Sequence, residues 1–117
     1  MNTGKINWVF HNASAAIGDG DLLKIRGDFQ TINLEITGTA VASTLIFEGK
    51  SHDAGAWYPI SCVNLSTLAI ASQTAGKDEL WQVDLTGLIQ FRTRISAING
   101  GNLSVDGKVV GWLWQVI

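Results

Sequence analysis

The chain has 117 residues, 46% of them hydrophobic and only 15% charged, and a formal net charge of −2. That length fits a single domain, 1–117, that buries roughly two thirds of its unfolded surface. No apolar run approaches the roughly 20 residues that span a bilayer, and the absence of a basic block argues against a dedicated nucleic-acid binder.

Taken in chain order, strand signals dominate. Strands are predicted at 6–11 and 22–26, and between them residues 13–17 have room for one short turn before Gly18-Asp19-Gly20-Asp21. Residues 30–37 alternate strictly: Ile32, Leu34 and Ile36 share one face, and Thr31, Asn33, Glu35 and Thr37 share the other. That period of two marks a strand with one buried and one wet face. Over 41–48, Val41, Leu45 and Phe47 are expected on one side, with Ala42, Thr44, Ile46 and Glu48 opposite. Residues 57–63 form the next predicted strand, where Pro59 points to an edge position or a strand start.

Further strands are predicted at 68–72, 80–85, 89–98, 102–105 and 109–117. Ala75-Gly76-Lys77-Asp78 and Asn99-Gly100-Gly101-Asn102 carry turn chemistry, because Gly tolerates positive φ and Asn and Asp bond nearby amides. Asp106-Gly107, between Val105 and Val109, reads as a hairpin turn. No segment keeps helical periodicity for three turns. The expected fold is therefore all-β, an antiparallel, jelly-roll-like β-sandwich of about eight strands.

Chemistry-bearing residues are sparse. The single cysteine, Cys62, lies in an apolar strand and excludes an internal disulfide, and His11 and His52 are far apart, so no zinc set is expected. Gly18-Asp19-Gly20-Asp21 offers too few oxygens for calcium, which takes six to eight. Ser51-His52-Asp53 is one tripeptide, whereas triad groups converge from separate elements. No P-loop spacing occurs. These residues predict no catalytic, cofactor or metal site, and not an enzyme.

Three features remain as candidate contacts. Alternation puts Arg92 and Arg94 on the face opposite Phe91 and Ile95, either paired with Asp84, Glu35 or Glu48 on a solvated surface or meeting a partner's carboxylates. Trp57 and Trp81 are expected in the core, the alternative being an exposed aromatic row of the kind a carbohydrate-binding module uses. The chain ends are apolar on both faces: Trp8 and Phe10 at one, Trp112, Leu113, Trp114 and Ile117 at the other. Two-sided apolarity suits strands covered by another subunit, so a homo-oligomer is expected.

The order of three motifs extends this reading. Phe47-Glu48-Gly49-Lys50-Ser51-His52-Asp53-Ala54-Gly55-Ala56-Trp57 is followed by Asp84-Leu85-Thr86-Gly87-Leu88 and then by Phe91-Arg92-Thr93-Arg94-Ile95. From about Gly27 to Val110 this order resembles small β-sandwich virion proteins of tailed bacteriophages. The resemblance implies a capsid-decorating or tail-associated module, a homo-oligomer with a trimer favoured, that docks on phage capsid or tail proteins. It implies a place in the virion. Met1-Asn2-Thr3-Gly4-Lys5 lacks the basic and apolar regions of a signal peptide, so synthesis in the host cytoplasm is expected.

Overall fold

The computed structural model describes residues 2–25, 29–74 and 76–113, with side chains for 7–25, 29–74 and 76–110. The described residues form strands β1 (Asn2–Ser14), β2 (Leu23–Lys24), β3 (Phe29–Gly38), β4 (Ala42–Lys50) and β5 (Tyr58–Pro59). These are followed by β6 (Cys62–Asn64), β7 (Ile70–Ala71), β8 (Glu79–Asp84), β9 (Gln90–Asn99) and β10 (Leu103–Leu113). One sheet has the order β1-β10-β3-β8-β6-β7 and the other β2-β9-β4-β5, and the strands pair antiparallel among the described residues. With the β6–β7 hairpin set aside, the strands interleave between the sheets as in a jelly roll. The expected all-β sandwich is therefore present, with the short β6–β7 hairpin added to eight jelly-roll strands among the described residues.

Alternation builds the core. Ile32, Leu34 and Ile36 of β3, Val105 and Val109 of β10, and Val83 of β8 face Leu45 and Phe47 of β4 and Phe91 and Ile95 of β9, all essentially inaccessible. Burying one such side chain is worth about 1.5–3 kcal/mol. Two aromatic contacts cross the sandwich: Phe47 and Trp81 at 5.0 Å between ring centroids, and Phe10 and Phe91 edge to face at 5.6 Å. A polar contact crosses it as well, His11 Nε2 lying 2.6 Å from the Thr93 carbonyl.

Four expectations need correction. Asp106-Gly107 is no turn, since β10 runs through it without interruption, Asp106 opposite Glu35 and Gly107 opposite Leu34. Gly107 serves close packing instead: a Cβ there would lie 2.6 Å from Ile32 Cδ1 and 2.9 Å from Phe10 Cε2. The turn into β10 is Asn99-Gly100-Gly101-Asn102, as expected, with φ of 74° at Gly100 and 148° at Gly101.

The second correction concerns Trp8-Val9-Phe10. The β1–β10 register shifts between Val9 and His11, so Phe10 and His11 both turn inward while Val9 stays 47% exposed. Such a bulge breaks the period of two, and Phe10 is a core residue, 2% exposed, rather than a contact residue. Trp8 packs half-buried against the core. Third, the predicted strand 57–63 divides into β5 in the smaller sheet and β6 in the larger. Fourth, Val41 is 82% exposed, and Ser43 takes the inward place next to Leu45. Val41 precedes β4, which begins at Ala42, so the alternation of Ser43, Leu45 and Phe47 does not extend to it.

Candidate functional site

The outer face of the four-stranded sheet gathers the charged groups. On β9, Phe91, Thr93 and Ile95 point into the core, which sends Arg92 and Arg94 outward. On β4 the same alternation brings Glu48 opposite Arg92 and Ile46 opposite Arg94. Glu48 is 5% exposed and takes both arginines. Its Oε1 accepts from Arg92 Nε at 2.9 Å and from Arg94 Nε at 3.2 Å, and its Oε2 accepts from Arg94 Nη2 at 3.3 Å.

Two further groups fix Arg92. Its Nη1 lies 3.3 Å from Asp19 Oδ2, and its guanidinium carbon stands 4.2 Å from the centroid of the Trp57 ring. Lys50 Nζ is 5.7 Å from the same ring. Arginine combines a fork of donors with a planar face that attracts an indole ring. Arg94 spans both oxygens of Glu48, while Arg92 divides its donors between Glu48 and Asp19 and lies over Trp57. Asp19 reaches the arginine because the segment before β2 runs along β9, with Gly18 and Ile95 exchanging backbone hydrogen bonds.

The electrostatics follow from this geometry. Burial alone would raise the Glu48 pKa, but hydrogen bonds and positive charge from Arg94 and Arg92 outweigh it and hold the carboxyl below the usual range. The result is two guanidinium groups held in place by one carboxylate, with part of Arg94 left open to solvent.

The structure distributes the other candidates widely. Glu35 and Asp84, considered as partners of the arginines, belong to strands of the six-stranded sheet, so Glu48 alone of the three pairs with them. Trp81 is 3% exposed and donates from Nε1 to Glu79 at 2.8 Å, while Trp57 carries Arg92 on its ring. Neither indole is a bare stacking surface. Trp112, Leu113, Trp114 and Ile117 lie outside the described side chains.

The nucleophile and base candidates are occupied elsewhere. Cys62 is buried, donates toward the Ile60 carbonyl at 3.7 Å, and has its thiol pKa pushed up to about 12 by burial. His11 meets the Thr93 carbonyl, and His52 Nδ1 lies 3.0 Å from the Ser51 hydroxyl in an exposed turn. Among the described residues no group of three or more His, Cys, Asp or Glu converges as a metal site. Sequence reasoning reached Arg92, Arg94 and Glu48 through alternation, but missed Asp19 and the Trp57 stack, both supplied by loops.

A family model described as XepA matches residues 4–109. The chain belongs to the XepA family. Its curated relatives in Bacillus subtilis (strain 168) include the phage-like element PBSX protein XepA, 36% identical over 104 residues, which are 89% of this chain and 37% of that protein. Another is the uncharacterized protein YqxG, 34% identical over 102 residues, 87% of this chain and 34% of YqxG. The chain thus spans little more than a third of the curated relatives it matches.

Two crystal structures share the fold. PBSX XepA, described as an exported protein, superposes with a TM-score of 0.90 at 33% identity, covering 95% of this chain and 39% of XepA. YomS, derived from the SPBc2 prophage, gives 0.87 at 22% identity and covers 95% of this chain and 96% of YomS. XepA and YomS come from a phage-like element and a prophage, which agrees with the broader part of the resemblance read from the motifs.

Proposed function

We propose that this XepA-family chain is a non-enzymatic structural module of a phage particle, capsid-decorating or tail-associated, that works through protein–protein contacts. The observation that carries this reading is the Arg92–Glu48–Arg94 arrangement backed by Trp57. Arginine and tryptophan are enriched where protein interfaces concentrate their binding energy. A guanidinium already held by Glu48 and Trp57 loses little rotamer freedom when a partner docks, which favours binding. Cys62 and His11 add support, since the thiol is buried against the Ile60 carbonyl and the imidazole is taken up by the Thr93 carbonyl.

The test is composition of the particle. Particles of the phage that carries this gene are purified through a density gradient and analysed by mass spectrometry. The chain is expected to co-migrate with capsid or tail proteins at a fixed ratio, and its absence from intact particles would refute the proposal.

A further inference from the structure

Asn99 is the one asparagine of the sequence that is followed by glycine. Asn99-Gly100-Gly101-Asn102 forms the crossover from β9, in the small sheet, to β10, in the large one. It lies against the opposite crossover, residues 39–41, which leads from β3 to β4. Thr39 and Ala40 both donate from their amides to the Asn102 carbonyl at 3.0 Å, and Val41 donates to the Asn99 carbonyl at 2.9 Å. The Asn102 amide donates in return to Thr39 Oγ1 at 3.1 Å. A Cβ at Gly101 would lie 2.6 Å from the Thr39 carbonyl carbon, so the two crossovers touch without spare room. They clamp the sheets together at this end of the sandwich.

These bonds hold the ends of the turn and leave its middle unengaged. Neither the Gly100 amide nor the Asn99 side chain has a hydrogen-bond partner among the described residues, and both residues are exposed. Gly100, at a φ of 74°, has no side chain to shield its nitrogen. The chain's aspartate–glycine pairs are placed differently: Asp19 is bound to Arg92, and Asp106-Gly107 lies within the β10 ladder.

We propose that Asn99 is a site of self-modification, at which deamidation driven by the Gly100 backbone loosens the clamp between the crossovers. The Gly100 nitrogen loses its proton to hydroxide and attacks Asn99 Cγ. The new N–Cγ bond closes a cyclic imide, the Cγ–Nδ2 bond breaks, and Nδ2 leaves as ammonia with a proton from water. Water then adds to either imide carbonyl and opens the ring, giving aspartate or isoaspartate. Hydroxide and water are the only co-reactants, so the reaction accelerates as pH rises. In the isoaspartyl product the main chain passes through Cβ and Cγ and is one methylene longer. The carbonyl that Val41 bonded becomes part of a pendant carboxylate, and the turn must shift against Thr39 and Ala40, where Gly101 already fits closely.

Mass spectrometry and thermal melting test this on the native protein, incubated at pH 7 and pH 9 in heavy-oxygen water. Asn99 is expected to convert before any other asparagine, to take up the label, and to convert faster at pH 9, yielding both aspartate and isoaspartate. The melting temperature should fall in step with the isoaspartyl fraction. Asn99→Gln, whose longer side chain closes the imide far more slowly, should stay unmodified and keep its melting temperature through the same incubation. Asn99→Asp adds the charge without the extra methylene and should melt closer to fresh wild type than the aged protein does.

Earlier conversion at another asparagine would overturn the assignment of the site. So would conversion of Asn99 in urea but not in the folded protein, which would show that the clamp shields it. An aged protein rich in isoaspartate that melts like the fresh one would overturn the loosening. Should Asn99→Gln fail to fold, the wild-type site order, label and melting decide alone.

Discussion

Glu48 is the residue on which the small sheet's outer face depends. Arg92 and Arg94 both bond it, and its pKa lies below the ordinary Glu value of about 4.3. A carboxyl depressed by folding contributes stability that is complete above the unfolded pKa and is lost as pH falls through the folded one. Urea unfolding below pH 4.5 should therefore show wild type losing more stability than Glu48→Gln, which has no carboxyl to protonate. At neutral pH the same variant should be destabilised by about 1–2 kcal/mol, since the hydrogen bonds it weakens are only partly buried. Cys62 makes a second residue-scale prediction. With its thiol pKa pushed up to about 12 and its side chain buried, native protein should resist iodoacetamide at pH 8, while denatured protein alkylates fully. Rapid labelling of the native state would contradict the burial.

At the scale of elements, legibility depended on whether one face met solvent. β3 was readable residue by residue, because Ile32, Leu34 and Ile36 alternate with polar side chains. β9 was readable for the same reason, and with it the common side of Arg92 and Arg94. The failures have separate physical causes. Asp106-Gly107 has turn chemistry, but its glycine is required by the approach of Ile32 and Phe10, which no local pattern records. Phe10 was misjudged because apolarity on both sides of a strand does not show which face meets the core: Trp8 and Phe10 pack inward and Val9 points out. Trp57 and Asp19 reach Arg92 from loops, and contact between a loop and a distant strand leaves no periodicity to read. Gly107→Ala should thus destabilise the fold by about 1–3 kcal/mol through overpacking. A thermal melt checks this, and an unchanged melting temperature would show that the site can relax.

For the whole molecule, the all-β sandwich and the likeness to phage-derived proteins were both legible, the first from alternation and turns, the second from the order of three motifs. The division of strands between sheets was not, since it depends on long-range pairings such as β1 with β10. The core is continuous from Phe10 to Val109 and contains no metal ligand set among the described residues. Melting in the presence and absence of a chelator should therefore give one curve. A large loss of melting temperature on chelation would reveal a metal that the fold requires.

The pairing of β1 with β10 also has a mechanical consequence. Asn2 stands opposite Leu113, so the outermost rungs of this antiparallel ladder lie side by side at one end of the molecule. A force that pulls these two points apart acts across the ladder rather than along it. The hydrogen bonds then rupture one at a time, as teeth of a zip, and never share the load. Anchored through this end, the sandwich is a weak link that peels from β1 inward, whereas force applied through its two broad faces is carried by the whole core at once.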